Sequence, residues 1–351
     1  MKSIFVLKIG KIELITYELK KRIYTGELKS GDKIPTQNEL ATLYKVSRDT
    51  LNKAIKELVS DGWIKTSKKG GSLVPDSLPF EKNYALVSMR DSWEQSSFTR
   101  SLILAASEIE DDLQSRLTPF HLSKIGMSDN NLLLLDEVTQ KMKFAGYIFC
   151  DHPHLFHNSV FVKNKIHPKA CFTSCDLDGF FDILVWFDFK ALYELIAEKM
   201  IIKNIRRPFF LCVPENNSSS SIMDVLKQKN IPHSPSHSFS LPCGDEQNTK
   251  NVIRIITQMH ESVRPDAVII LDDNLLKPVC DELQSMKERG HEAPLIISHF
   301  NYPSNYKTSY PVIKIGFDLR NIFTTCIPLL EKKRLGEDIP KKLLIKPKSF
   351  S

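Results

Sequence analysis

Residues 36–74, TQNELATLYKVSRDTLNKAIKELVSDGWIKTSKKGGSLV, constrain the fold of this chain more than any other stretch. Thr36 followed by Glu39 is a capping box: the hydroxyl accepts from an orphan backbone N–H and the carboxylate reaches back. Pro35, just before it, keeps any earlier helix from running through. Leu40 and Leu43 give this short helix one apolar face. Ser47 then caps a second helix, in which Leu51, Ala54, Ile55 and Leu58 recur at helical spacing and define a buried side. The other side carries Arg48, Asp49, Asn52, Lys53 and Lys56. Asp61-Gly62 ends that helix, Gly62 being suited to a left-handed C-cap. Trp63-Ile64 and Leu73-Val74 are the apolar ends of two short strands around a basic, glycine-rich tip. Upstream, Ile12, Ile15, Leu19 and Ile23 line one side of a first helix that closes a small core. A plain helical domain with a solvated basic face would not show caps, turn, outward basic face and wing in agreement. The order is that of a helix-turn-helix with a wing, which sets one helix into the major groove of double-stranded DNA.

Charge falls the same way. Residues 1–74 hold 15 Lys+Arg against 8 Asp+Glu, and the rest of the 351-residue chain holds 33 against 34. The whole positive excess lies in the candidate DNA-binding stretch, as an electrostatic footprint on phosphate should. The near-neutral remainder must do something else.

Residues 26–36 (GELKSGDKIPT), 46–50 (VSRDT) and 61–64 (DGWI), with Glu39-Leu40-Ala41, Ala54 and Leu58 between them, form a specific motif set. It resembles the winged helix-turn-helix of the GntR family of bacterial transcription regulators, over the first part of the chain only. The resemblance implies that Ser47 and Arg48 touch phosphate and a guanine edge, that Thr50 adds a backbone contact, and that the wing enters the minor groove. An arginine fork matches guanine O6 and N7. Lys33, Thr36, Asn38, Asn52, Lys53, Lys68, Lys69, Gly70 and Gly71 complete the expected DNA-binding set. Asn38 stands where the family often has a base-contacting arginine, and Asn52 at another frequently basic position. Asparagine pairs well with adenine, which favours A·T at those steps. The wing reads Lys68-Lys69-Gly70-Gly71 where many members have Gln-Gly-Arg-Gly.

The chain is long enough for two or three domains. It has no run of about 18 uncharged apolar residues, so no membrane span is expected, and Lys8 interrupts the apolar start too early for a secretory signal. The seven cysteines show no pairing rhythm and read as reduced, mostly buried thiols of a cytoplasmic protein. Residues 74–80 (VPDSLPF) hold two prolines and read as a linker. The expected domains are 1–74, a linker at 75–82, and 83–351.

After the linker, strand-length apolar runs alternate with helical patterns. Strands are expected at 84–89, 146–150, 170–173, 183–185, 209–213, 267–271 and 295–298. Helices are expected at 98–113, 131–142, 190–200, 222–229, 248–260 and 275–287. Such alternation argues for parallel sheets with helices on both faces. Residues 145–149 (AGYIF), 264–273 (RPDAVIILDD) and 290–298 (GHEAPLIIS), with a final helix over 317–330, resemble the sugar-binding core of LacI-type regulators. The resemblance rests on order more than on identities, and it implies the periplasmic-binding-protein fold. The expected class is α/β: an N-terminal winged helix-turn-helix plus a C-terminal bilobed domain with two parallel sheets flanked by helices.

That fold places a ligand between the lobes, at the carboxyl ends of strands. The residues expected there are Arg90, Asp91, Trp93, Asp151, Trp186, Asp188, Asn216, Asp273, His299 and Asn301. Carboxylates and amides pair with sugar hydroxyls, and an indole stacks on the apolar face of a pyranose; a loop cap or core aromatic is the plainer role for each. LacI-type sugar binders usually carry an arginine after the strand matching 209–213, where this chain has Asn216-Asn217 and serines. Their late aspartate has Phe300 or Asn301 in its place.

Cys150, His152, His154 and His157 lie close enough in sequence to hold a transition metal. Proline between two of the histidines and the absence of a recognised distal pair (Cys171 and Cys175 do not match one) favour a polar loop instead, and no metal or cofactor is expected. No P-loop, dinucleotide fingerprint or nucleophile elbow is present, so an enzyme is not expected. The expected function is that of a repressor, a homodimer on a pseudo-palindromic operator, answering a small molecule, most simply a carbohydrate. The alternative is a constitutive DNA-binding protein whose C-terminal domain only dimerises.

Overall fold

Three helices come first along the described chain: α1 (Lys11–Tyr24), α2 (Gln37–Tyr44) and α3 (Arg48–Ser60). The structure is a computed structural model and describes residues 10–66, 71–88, 96–121, 141–150, 156, 159–173, 179–214, 218–231 and 237–350. Ile15, Leu19 and Ile23 of α1 meet Leu51, Ala54, Ile55 and Leu58 of α3, all buried. Leu40 of α2 joins them, whereas Leu43 is 64% exposed and not part of the apolar face expected of it. The capping box closes as the sequence requires: Thr36 N donates to Glu39 Oε2 at 2.7 Å and Glu39 N to Thr36 Oγ1 at 3.3 Å. The Thr36 backbone N–H and its hydroxyl (2.9 Å) both donate to Glu39 Oε2 and hold the exposed Glu39 carboxyl below its ordinary pKa. Ser47 caps α3 by accepting from Thr50 N at 3.2 Å, and Gly62 at φ +78° ends it. Strands β1 (Lys65–Thr66) and β2 (Ser72–Leu73) pair antiparallel, and Lys33 bridges to Leu73 on the outside.

The rest of the chain builds two six-stranded sheets with one winding pattern. The first uses β3 (Asn83–Ser88), β4 (Arg116–His121), β5 (Gly146–Phe149), β6 (Lys169–Phe172), β7 (Ile183–Phe187) and β13 (Lys342–Ile345), in the order β13-β7-β6-β5-β3-β4. The second uses β8 (Pro208–Cys212), β9 (Ser238–Ser240), β10 (Ala267–Ile270), β11 (Leu295–Tyr302), β12 (Val312–Asp318) and β14 (Lys348–Phe350), in the order β14-β12-β11-β10-β8-β9. In each, the second strand returns to one side of the first and later strands add on the other, a doubly wound arrangement. A strand from the end of the chain closes each sheet, and β14 does so antiparallel to β12. Central strands are mostly apolar because helices cover both faces, and β10 is buried at all four positions, although Lys169 in β6 and Ser298, His299 and Asn301 in β11 are buried polar residues.

The crossover helices are α4 (Ser97–Leu113), α6 (Phe189–Ile202), α7 (Ser218–Gln228), α8 (Glu246–Thr257), α9 (Leu276–Glu288) and α10 (Arg320–Arg334), with a single turn, α5 (Val160–Lys163), before β6. The chain divides into two compact units, one of Met1–Asp91, Asp111–Leu184 and Thr325–Lys342, the other of Ser92–Glu110, Val185–Thr324 and Leu343–Ser351. The first has a core of aromatics, among them Tyr147, Phe149, Phe156, Phe161 and Phe181. The second packs aliphatic residues such as Leu211, Val268, Ile270, Val279 and Leu283. Cys171, Cys212, Cys280 and Cys326 are buried in the interior. Among the described residues no helix is long and apolar enough to cross a membrane.

Most expected elements form, with instructive shifts. The strand at 183–185 continues to Phe187 and takes in Trp186, and that at 295–298 runs on to Tyr302. Phe317, placed in the final helix from sequence, belongs to strand β12 instead; the helix starts at Arg320. Strand β4 escapes sequence reading because it carries Pro119, tolerated on an edge strand that pairs with β3 alone. The expected helix at 131–142 falls almost wholly outside the described residues.

Gly316 of β12 lies opposite Phe300 of β11, and a Cβ there would come 1.9 Å from the Phe300 carbonyl oxygen. The atom in the way is backbone, which cannot swing aside. Gly316→Ala is expected to lower stability by about 3 kcal/mol, read from the urea midpoint at unchanged slope.

Candidate functional site

The burial of Leu51, Ile55 and Leu58 turns the opposite side of α3 outward. Arg48, Asn52 and Lys56, four residues apart, share one outer face. Arg48, Lys53 and Lys56 are exposed, Asn52 half-buried, and none of the three cations forms a salt bridge among the described residues. Asn52 and Lys56 also line a shallow groove of about 390 Å³ with Gln37 of α2 and Thr66 of β1. The groove therefore runs along α3 between α2 and the root of the wing. Ser47 and Thr50 pair their hydroxyls at 2.9 Å at the exposed start of α3, where unpaired N–H groups favour an anion. Thr36 and Asn38 are exposed at the start of α2, and Lys33 and Gly71 are exposed beside the wing. Lys68, Lys69 and Gly70 lie outside the described residues. Lys56, read from sequence onto the outward side of α3, belongs to this face, and Gln37 and Thr66 join it without any signal of their own in the sequence.

In the second unit, a cavity of about 470 Å³ opens at the carboxyl ends of β9, β10 and β11. Asp273, just after β10, is the one residue of the expected effector set that lines it. Ser97, Arg100, Thr249, Asn274 and Lys277 bring hydroxyl, guanidinium, amide and ammonium groups to the same cavity. Ser97 N donates to Asn274 Oδ1 at 2.8 Å, which fixes the start of α4 at its rim. These residues sit near helix starts far apart in sequence, so no local pattern announces them.

The other expected effector residues divide. Asp273 Oδ2 accepts from both Asn301 N and Asn301 Nδ2 at 3.0 Å, deep in the end of β11. Burial pushes the Asp273 carboxyl up in pKa, against the pull of nearby His299 and the Asn301 hydrogen bonds. His299 is buried against Phe189 (6.3 Å between ring centroids) and Phe317 (5.8 Å), and its Nε2 has no hydrogen-bond partner among the described residues. Trp186 is 43% exposed on β7, with its ring 6.2 Å from that of Phe189. Asp188 caps α6, accepting from Ala191 N at 3.0 Å. Arg90, Asp91, Trp93, Asp151 and Asn216 lie outside the described residues, as do His152, His154 and His157; Cys150, at the end of β5, is half-buried.

Residues 11–74 match the family described as "Bacterial regulatory proteins, gntR family". The arabinose metabolism transcriptional repressor of Halalkalibacterium halodurans is 36% identical over 66 residues, which cover 19% of this chain and 18% of that protein. A probable fructoselysine utilization operon transcriptional repressor of Escherichia coli is 55% identical over 40 residues, 11% of this chain and 16% of that protein. Both matches span under a fifth of the relatives' own length. Among solved structures, a regulatory protein of the LacI family from Chloroflexus aggregans superposes with a TM-score of 0.59 at 16% identity, covering 76% of this chain and 96% of that one. The transcriptional regulator CelR in complex with cellobiose gives 0.56 at 13% identity over 91% of this chain and 99% of that one. A periplasmic binding protein/LacI transcriptional regulator from Alkaliphilus metalliredigens, complexed with D-xylulofuranose, gives 0.53 at 17% identity over 77% of this chain and 98% of that one. The amino-terminal module is thus a GntR-type winged helix-turn-helix, and the remainder has the bilobed LacI-type fold. The relatives are transcription regulators, not enzymes.

If α3 reads bases through Arg48, then Arg48→Ala should weaken binding to the preferred DNA by about 1–3 kcal/mol and relax one base position. Lys53→Ala should instead weaken all sequences alike and reduce the salt slope by about 1. Fluorescence anisotropy across a salt series separates the two behaviours.

Proposed function

We propose that this protein is a ligand-responsive transcription repressor that binds a pseudo-palindromic operator as a homodimer. The observation that carries the reading is the outer face of α3, with Arg48, Asn52 and Lys56 in one row beside an open groove. A basic helix face of this kind fits the major groove, and a two-fold dimer matches a palindrome. Ser47, Thr50, Lys33 and Thr36 position the module on phosphate, Asn38 with Asn52 favours A·T steps, and the wing tip at 68–71 serves the minor groove. An operator on the chromosome puts the protein in the cytoplasm. The module is residues 1–74, and residues 83–351 form the part that senses and dimerises.

The effector is a small, hydroxyl-rich molecule, most simply a sugar. Two features support this class: a cavity of about 470 Å³ with polar groups at the carboxyl ends of parallel strands, and the exposed Trp186 indole. Cavities of this size suit small ligands. Repressors of arabinose and fructoselysine use among the relatives, and the sugars in two of the similar structures, point the same way. Ligand acts on DNA affinity only if it binds two conformations unequally.

Two observations favour a constitutive DNA-binding protein instead: Asp273 and Asn301 already hydrogen-bond each other, and Asp188 is engaged as a cap. Thermal-shift screening of mono- and disaccharides against the full chain decides between them. The repressor reading predicts at least one sugar that raises the melting temperature and also changes affinity for DNA selected in vitro. Sugars that bind without altering DNA affinity would remove the regulatory step, and no stabilising sugar would favour the constitutive protein.

A further inference from the structure

Within the first unit, Tyr24 ends α1 and is fully buried. Its hydroxyl donates to the carbonyl oxygens of Phe144 and Ala145, each at 3.0 Å, just before β5 of the first sheet. Burial holds the phenol well above its ordinary pKa, so it stays a donor at every physiological pH. The Tyr24 carbonyl in turn accepts from Nη1 of Arg334, at the end of α10. The Arg334 guanidinium lies 4.9 Å from the centroid of Phe80 and 5.7 Å from that of Tyr24, and Nε donates to Glu331 at 3.0 Å. Phe80 packs on Tyr24 at 4.8 Å and on the buried Trp63 at 5.2 Å. The His167 ring stands 5.1 Å from that of Tyr24.

Residues between β2 and β3 make contacts of their own, partly at the surface. Asp76 accepts from Lys65 Nζ at 2.7 Å and Ser30 Oγ at 3.1 Å, which ties it back to the winged module. Leu78 is buried, and its N–H donates to Glu81 Oε2 at 3.0 Å. Three segments distant in sequence (the end of α1, residues 78–80 and the end of α10) thus meet in one buried aromatic cluster around a paired guanidinium. A buried arginine is costly unless paired and hydrogen-bonded, and a mere tether needs none.

We propose that Tyr24, Phe80 and Arg334 lock the DNA-binding head onto the sheet that holds β3 and β5 as one rigid body. Residues 75–82 are then a joint, not a flexible tether. The heads of a dimer can be re-spaced only by moving whole effector units or by opening this lock. The inference rests on the DNA-binding reading for its purpose, but its test needs no DNA.

Backbone amide relaxation of the deuterated full-length chain measures it. Amides of α2 and α3 should report the same rotational correlation time as amides of β3 and β5. A shorter correlation time for the head in the wild-type chain would overturn the proposal, whatever any variant does. Tyr24→Phe keeps the ring and removes the donor, and should raise cleavage after Glu81, within the joint, by a glutamyl endopeptidase about fivefold. Unchanged cleavage in Tyr24→Phe and also in Arg334→Lys would likewise sink it. Failure of DNA selection would remove the regulator reading and leave the relaxation result standing.

Discussion

Burial of one side of α3 comes before every other feature of the DNA-binding head. Leu51, Ala54, Ile55 and Leu58 have nowhere to go but against α1, and their burial alone decides which residues face outward. Arg48, Asn52 and Lys56 face the solvent side because their row lies about a third of a turn round the helix from the buried stripe. No interaction of those three residues with one another is required. Burying the face fixes the fold of the head, and the same act presents its basic side.

A second constraint governs the remaining residues. Parallel strands must be covered on both faces, so their helices cross over and their carboxyl ends gather loops. Both sheets obey this with the same strand order, although the cores differ: aromatic in the first unit, aliphatic in the second. The cavity of the second unit arises at such ends, where the starts of three crossover helices converge. Its polar lining is a consequence of those helix starts as much as of any ligand.

Legibility from sequence follows the range of the interactions. Capping box, Ser47 cap and Gly62 stop are decided within four residues, and each is found where the sequence puts it. Central strands such as β3, β5, β8 and β10 are legible because burial on both faces makes them continuous or nearly continuous apolar runs. Strands β4, β9, β13 and β14 are not, since edge or closing strands are defined by a partner far away in the chain, and neither is β12, a central strand whose run is broken by Lys314 and Gly316. The joint around Tyr24 was hidden for the same reason: Tyr24, Phe80 and Arg334 carry no mutual spacing. Among the expected effector residues, Asp188 reads in sequence as a ligand-binding carboxylate and in the fold caps a helix. A carboxylate after a strand serves either purpose, and only the position of the Ala191 N–H distinguishes them.

Site-specific photo-cross-linking decides whether the outer face of α3 is the surface that reads DNA. A photoreactive side chain at position 52, on that face, is compared with one at Glu13, exposed on α1. Seating of α3 in the major groove predicts cross-links to bases of a selected DNA fragment from position 52 and none from position 13. Cross-links from position 13, with none from position 52, would contradict it.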